Sequence, residues 1–280
     1  MVWPPMAIVQ RDVADLRATP SLESELVDQA HYGENVALLG ERGDWRYLQG
    51  ADQYFGWVHL DDLAVFTSYA EGPERYLVAV LLADVRDAPR ANAEVLARLP
   101  AGTSVPPIAA SIEQPDGTSR PIASDHPDGW RETHLGPGWK TGYVALPDLV
   151  DARSLPNRYP TADDYLKTAE SFIGVPYLWG GTTALGLDCS GFVQQVYRLN
   201  GVALPRDADQ QAMLGRRVEK ARAGDLMFFG AESVTHVALA TSETEFIHAP
   251  MQGAVVERGA LGGDRKLRGI RRYLPEVSGV

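Results

Sequence analysis

The chain holds a single cysteine, Cys189, among its 280 residues. A lone thiol forms no intrachain disulfide and no multi-cysteine zinc site. Two readings remain: a small buried hydrophobe, or a nucleophile. The run Asp188-Cys189-Ser190-Gly191-Phe192-Val193 predicts a helix that Asp188 caps and Cys189 opens. Unpaired N–H groups and the positive end of the helix dipole then point at the sulfur, which is expected to lower its pKa. Two of the six histidines follow. His236 opens a strand-like run, His236-Val237-Ala238-Leu239-Ala240, and His248 closes Glu245-Phe246-Ile247-His248. A turn centred on Ser242 would make them direct cross-strand partners, with Cβ atoms about 4.5–5.5 Å apart. One imidazole could then take the thiol proton while the other holds the first in its tautomer and orientation. Two histidines and a cysteine are also a zinc ligand set, but a metal does not need the helix-terminus position, so no metal is expected.

These three side chains need elements to carry them. Thr161 reads as an N-cap with Asp163 and Asp164 in the first turn of a helix. Leu166, Ala169, Phe172 and Ile173 recur at helical spacing, and Gly174 with Pro176 ends the run. A loop, Pro176-Tyr177-Leu178-Trp179-Gly180-Gly181, leads to the helix of Cys189. Val193, Val196 and Asn200 share the sulfur's face of that helix, and Gly201 stops it.

The first half of the chain repeats itself. Asp15-Leu16-Arg17-Ala18-Thr19-Pro20 matches Asp84-Val85-Arg86-Asp87-Ala88-Pro89, and Gly33 matches Gly102 at the same offset of 69 residues. Gly43-Asp44-Trp45-Arg46 and Asp128-Gly129-Trp130-Arg131 correspond, as do Gly56-Trp57-Val58 and Gly142-Tyr143-Val144. The second copy carries about 16 extra residues. They include Pro106-Pro107, Pro115-Asp116-Gly117 and Pro127, which read as turns in a solvated loop. Short alternating runs between Gly and Pro predict two small antiparallel β-barrels. Trp45, Trp57 and Trp130 are expected as core aromatics. Polar residues and two prolines over 151–160 mark a linker.

Composition narrows the function classes. Lys and Arg number 26 against 37 Asp and Glu, a formal charge of −11. Phosphate neutralisation needs clustered basic residues, so no nucleic-acid partner is expected. No apolar run approaches the 18 or so residues of a membrane helix, and no membrane partner is expected. Met1–Met6 lacks a basic n-region and an apolar h-region, which predicts a cytoplasmic protein whose thiol stays reduced. The basic residues Arg265, Lys266, Arg268, Arg271 and Arg272 read as a solvated face.

The motifs together resemble a known family. Residues 161–274 resemble an NlpC/P60 domain, the papain-like cysteine peptidases of bacterial cell-wall turnover. The resemblance rests on Pro176–Gly181, Leu187–Val193, Leu204-Pro205-Arg206-Asp207, Ala223–Phe229, His236-Val237-Ala238 and Phe246–Pro250. The paired modules resemble bacterial SH3 (SH3b) domains. The expected fold is therefore an α+β papain-like domain behind two small SH3-like β-barrels. The corresponding domains are residues 1–68 and 69–152 (SH3b), a linker at 153–160, and 161–280 (catalytic).

The resemblance extends to the γ-D-glutamyl-L-diamino acid endopeptidases. It implies Cys189 as nucleophile, His236 as general base and His248 as the orienting third member, with no cofactor. The implied substrate is a murein peptide with a free N-terminal L-Ala. Asp188, Tyr177 and Trp179 would hold its amine, with Ser190, Arg206 and Asp207 lining the cleft. Tyr54, with Glu23 or Glu25, would approach from the first SH3b domain. Ala208 stands where the subfamily often has Ser. The competing readings are an amidase or acyltransferase on another acyl donor, and an SH3b wall adaptor with an inactive peptidase domain.

Overall fold

The computed structural model describes residues 4–65, 76–105, 111–113, 119–121, 124–126, 128–135, 140–156, 158–262 and 265–275. The chain divides into two compact units, Met1–Asn157 and Arg158–Val280. The division falls inside the stretch read as a linker. The expected boundary at 68/69 lies outside the described residues.

In the first unit the repeat becomes a repeated strand pairing. Val13–Arg17 pairs antiparallel with Leu26–His31, and Leu82–Arg86 pairs the same way with Val95–Pro100. Trp45–Gln49 pairs with Phe55–His59, and Trp130–Leu135 with Lys140–Ala145. Gly33 and Gly102 follow the equivalent strands with φ of 76° and 77°. L-residues avoid that left-handed region, which is why glycine recurs at this offset.

The copies differ at the insertion. The first forms one seven-stranded sheet, in which Asn35–Arg42 pairs with both Met6–Val9 and Trp45–Gln49. In the second the equivalent strand is Ser104–Val105 among the described residues, and the strands divide into a five-stranded and a three-stranded sheet. The insertion is not simply a solvated loop. Ser111–Glu113 and Ser119–Pro121 form a hairpin, and Ser124–His126 extends the five-stranded sheet beside Trp130–Leu135. The turn residues Pro106-Pro107, Pro115-Asp116-Gly117 and Pro127 lie outside the described residues.

The tryptophans also depart from expectation. Trp45, Trp57 and Trp130 are half-buried rather than central. The first core is built from Ala7, Val9, Ala14, Leu16, Ala30, Val36, Leu48, Val58 and Leu63. So small an interior takes side chains of this size, and the indoles pack on its outside: Trp57 against Tyr47, and Trp45 edge-on to His59. The second core gathers Val78, Ala83, Val85, Leu99, Val105 and Val144, together with Tyr32 from the first copy.

The second unit sets three helices against a six-stranded antiparallel sheet. Helix α1 spans Ala162–Ser171, α2 spans Cys189–Leu199 and α3 spans Ala208–Met213. The strand order is Arg216–Val218, Leu267–Arg272, Leu226–Phe229, His236–Ala240, Glu245–His248, Glu257–Ala260. Thr161 and Asp164 form a reciprocal capping box at the start of α1. Its buried side is Tyr165, Ala169 and Phe172, while Ile173 is exposed. Helix α2 is buried from Ser190 through Tyr197, on every side rather than along one face. Tyr165 stacks on Tyr197, and Asn200 Nδ2 donates to Thr168 Oγ1, tying α1 to α2. Helix α2 is thus a central post, and the sheet strand His236–Ala240 passes beside it. Among the described residues no helix is long and apolar enough to cross a membrane.

Candidate active site

Asp188 caps α2, with its carboxylate accepting from Gly191 N at 2.7 Å, so Cys189 is the first helical residue. Gly191 lies so close to the preceding loop that a Cβ there would come within 2.2 Å of the Gly181 carbonyl oxygen. Only glycine permits that approach, which presses the loop Pro176–Gly181 against the nucleophile's turn. Hydrogen bonds between Leu178 N and Leu187 O, and between Asp188 N and Gly181 O, hold the loop in place.

The backbone N–H groups of Ser190 and Val237 act on the Cys189 sulfur and favour its thiolate. Val237 directly follows His236, so the thiol stands at the histidine strand. The expectation of a lowered thiol pKa is corrected here. Burial pushes the Cys189 thiol up to about 11, and the neighbouring Asp188 charge adds to the rise. The two N–H groups and Arg206 pull the other way and do not overcome it. In the free protein the proton therefore stays on sulfur at neutral pH.

His236 and His248 meet, but not as direct partners. The pairs Leu239–Ile247 and Ala240–Phe246 centre the hairpin on Glu243 rather than Ser242. His248 then stands across from Ala238, and His236 is its diagonal neighbour. The shift is by two residues, so both rings keep the same face of the sheet. His236 Nε2 lies 2.8 Å from His248 Nδ1, with the rings edge to face at 5.1 Å. That bond turns these two nitrogens on each other instead of on a shared metal ion. Phe229 packs on His236 and Phe246 on His248. Burial and the Arg265 charge hold His236 down to about 2 and His248 down to about 4, so both are neutral at pH 7. A neutral pair sharing one hydrogen bond needs one donor and one acceptor. When His236 Nε2 donates, its Nδ1 is left as a base, and His248 carries its proton on Nε2. Glu257 Oε1 lies 4.0 Å from His248 Nε2 and favours that tautomer.

The remaining residues of the expected cleft are placed unevenly. Asp188 is not a carboxylate waiting for an ammonium. It also accepts from Gly180 N (2.9 Å) and Ser190 Oγ (3.1 Å), and from both terminal nitrogens of Arg206 (3.1 and 2.6 Å). Arg206 is buried and donates to Ser190 Oγ as well. Carboxylate and guanidinium thus neutralise each other behind the nucleophile. Tyr177 is half-buried, and its hydroxyl feels the charges of Cys189, Asp188, Arg206 and Arg265. Burial first, then the first two of those charges, push it up to about 12, so it stays protonated. Trp179 is 59% exposed. Asp207 is the N-cap position of α3 and Ala208 its first residue, both at the Arg206 turn. Tyr54 belongs to the other unit, between the strands Trp45–Gln49 and Phe55–His59.

The basic tail is corrected in part. Arg272 is buried and doubly bonded to Asp225, Arg271 donates to Ala212 O, and Arg265 reaches the histidines electrostatically. Strand Leu267–Arg272 is interior to the sheet, and Arg271 and Arg272 tie it down, whereas Lys266 and Arg268 are exposed as expected. Reading the sequence also missed Gln211, which is fully buried and donates to Ser190 O and Pro205 O. It missed Glu257, too. Nothing in the spacing of Glu257 or Arg265 marks them, because strand register and a loop bring them to His248.

Comparison with known proteins agrees with this architecture. The NlpC/P60 family matches residues 174–265, and the bacterial dipeptidyl-peptidase Sh3 domain matches residues 16–63. The chain is 31% identical over 271 residues to a γ-D-glutamyl-L-lysine dipeptidyl-peptidase of Bacillus cereus, covering 90% of this chain and 76% of that one. It is 29% identical to dipeptidyl-peptidase 6 of Lysinibacillus sphaericus, covering 91% of each. The crystal structure of an NlpC/P60 family protein from Bacillus cereus superposes with a TM-score of 0.76, at 24% identity, over 96% of this chain and all of that one.

Proposed function

The chain belongs to the NlpC/P60 family and is a cysteine peptidase of the peptidoglycan-related kind, and from that premise we propose that it hydrolyses the γ-D-glutamyl–diamino acid bond of murein peptides with a free N-terminal L-Ala. The observation that carries the reading is the hydrogen bond between His236 and His248 beside a helix that begins at Cys189.

The proposed course follows from the protonation states. Cys189 and His236 start neutral, so the thiol proton passes to the free nitrogen of His236 as sulfur attacks the γ-carbonyl carbon. His248 accepts from His236 Nε2 and so stabilises the imidazolium that forms. N–H groups at the start of α2 stabilise the oxyanion. The imidazolium then gives its proton to the leaving amine of the diamino acid as the C–N bond breaks. Water, deprotonated by His236, hydrolyses the thioester and returns the proton to sulfur.

The peptide's ammonium rests against the Trp179 face and the Tyr177 hydroxyl, with Asp188 behind them. Ser190 and Arg206 keep Asp188 in place, and Asp207 borders the same turn. The test is mass spectrometry of the products from L-Ala-γ-D-Glu-diaminopimelate and its L-Lys counterpart, each with free and with N-acetylated L-Ala. The free peptides are expected to release the diamino acid, Cys189→Ala to release none, and acetylation to suppress turnover. Undiminished release by Cys189→Ala would sink the nucleophile, and equal cleavage of the acetylated peptides would sink the amine site.

A further inference from the structure

Arg265 stands in the site without a task in the chemistry above. One of its terminal nitrogens donates to the Pro250 carbonyl at 3.0 Å, two residues beyond His248. The segment from His248 onward returns to the other side of the site, where Tyr177 N donates to Ala254 O and Pro176 bridges to Val255. Arg265 is therefore fastened to the backbone that joins His248 to Tyr177. Its charge also acts on His236, His248 and the Tyr177 hydroxyl. Arg265 is half-buried, and among the described residues no carboxylate pairs with it.

Three other charges of this region have partners. Arg206 is 2% exposed and spends both terminal nitrogens on Asp188. Arg258 pairs with Glu170, and Glu257 faces His248 Nε2. Among the described residues Arg265 meets only the Pro250 carbonyl, and its guanidinium is a planar fork, the shape that suits a carboxylate. A γ-glutamyl substrate carries such a group. Its scissile carbonyl is the side-chain one, so its α-carboxylate remains a free anion a short aliphatic spacer from the attacked carbon.

We infer that Arg265 is a specificity-determining residue that binds the free α-carboxylate of the D-glutamyl residue and so selects γ-linked over ordinary α-linked acyl groups. The inference rests on the γ-D-glutamyl reading above. It also predicts that amidating that carboxylate, which removes the charge and leaves the scissile bond untouched, is penalised.

The test measures kcat/KM on L-Ala-γ-D-Glu-L-Lys and on its α-carboxamide counterpart, for the unaltered protein, Arg265→Gln and Arg265→Lys. The unaltered protein should prefer the carboxylate. Arg265→Gln keeps a donor for Pro250 but loses the charge, and should shrink that preference about 10–100-fold, chiefly through KM. Arg265→Lys should restore part of it. A merely structural Arg265 would lower both substrates together. A carboxylate-to-amide ratio that is the same in all three proteins, whatever the absolute rates, overturns the inference alone. Failure of the unaltered protein to cut either peptide, with Cys189 still reactive to a thiol probe, overturns the γ-D-glutamyl reading and this inference with it.

Discussion

Two buried aspartate–arginine pairs stand in the peptidase unit. In each, both carboxylate oxygens receive a guanidinium nitrogen, and the charged groups are almost closed to solvent. Asp225 takes Arg272 Nε and Nη2 and the backbone N–H of Arg222, locking the last sheet strand to the turn that precedes its neighbour. Asp188 takes Arg206 and then three further donors, from Gly180, Gly191 and Ser190, on both sides of the nucleophile. Burying two charges is costly, and it succeeds when every lone pair is matched. The same ionic unit therefore serves two ends. One pair closes a sheet, and the other fixes the backbone around the thiol.

The comparison can be broken in order of size. Asp188→Ala should have the largest effect. It leaves Arg206 buried and unpaired, at about 3–5 kcal/mol, and removes a helix cap worth about 1 kcal/mol more. Denaturant unfolding should show both losses, and turnover should fall with them. Asp225→Ala should cost about 3–5 kcal/mol without the cap contribution, while the alkylation rate of Cys189 in the folded protein stays as it was. A change in thiol reactivity as large as that of Asp188→Ala would erase the distinction between the pairs.

The smallest effect is the most diagnostic. With the thiol held up to about 11, its alkylation by iodoacetamide should climb with pH across the alkaline range, since the thiolate is the nucleophile. A rate already flat at neutral pH would contradict this. The Asp188 charge is one cause of the rise, so Asp188→Asn favours the thiolate and should move the profile to lower pH. Asp225→Asn should leave it in place.

Much of this was legible in the sequence, for reasons specific to each element. Thr161 and Gly174 frame α1 because capping chemistry and left-handed glycine are local. The repeat showed because equivalent turns need equivalent residues. Cys189 and the histidine pair were legible by type and by the even spacing of a sheet face. What failed was long-range. The hairpin centre differs by one residue, a matter of turn geometry that Thr241-Ser242-Glu243-Thr244 leaves open. The thiol pKa was misjudged because burial by the sheet outweighs the helix terminus. Asp188 looked available because its partner lies 18 residues on, and Arg271 and Arg272 looked solvated because their partners lie in a helix and a turn far back along the chain.

Tyr32 has a consequence for the two small modules. It belongs to the first copy, yet it is 2% exposed within the core of the second, where its hydroxyl meets Thr133 Oγ1 at 3.3 Å. Duplicated modules are often pictured as beads that can be cut out, shuffled or lost singly. Here the second bead is missing a piece of its own interior and borrows it from the first. Once an ancestral duplication had settled into this arrangement, neither copy was any longer a spare, and the pair became one inherited part.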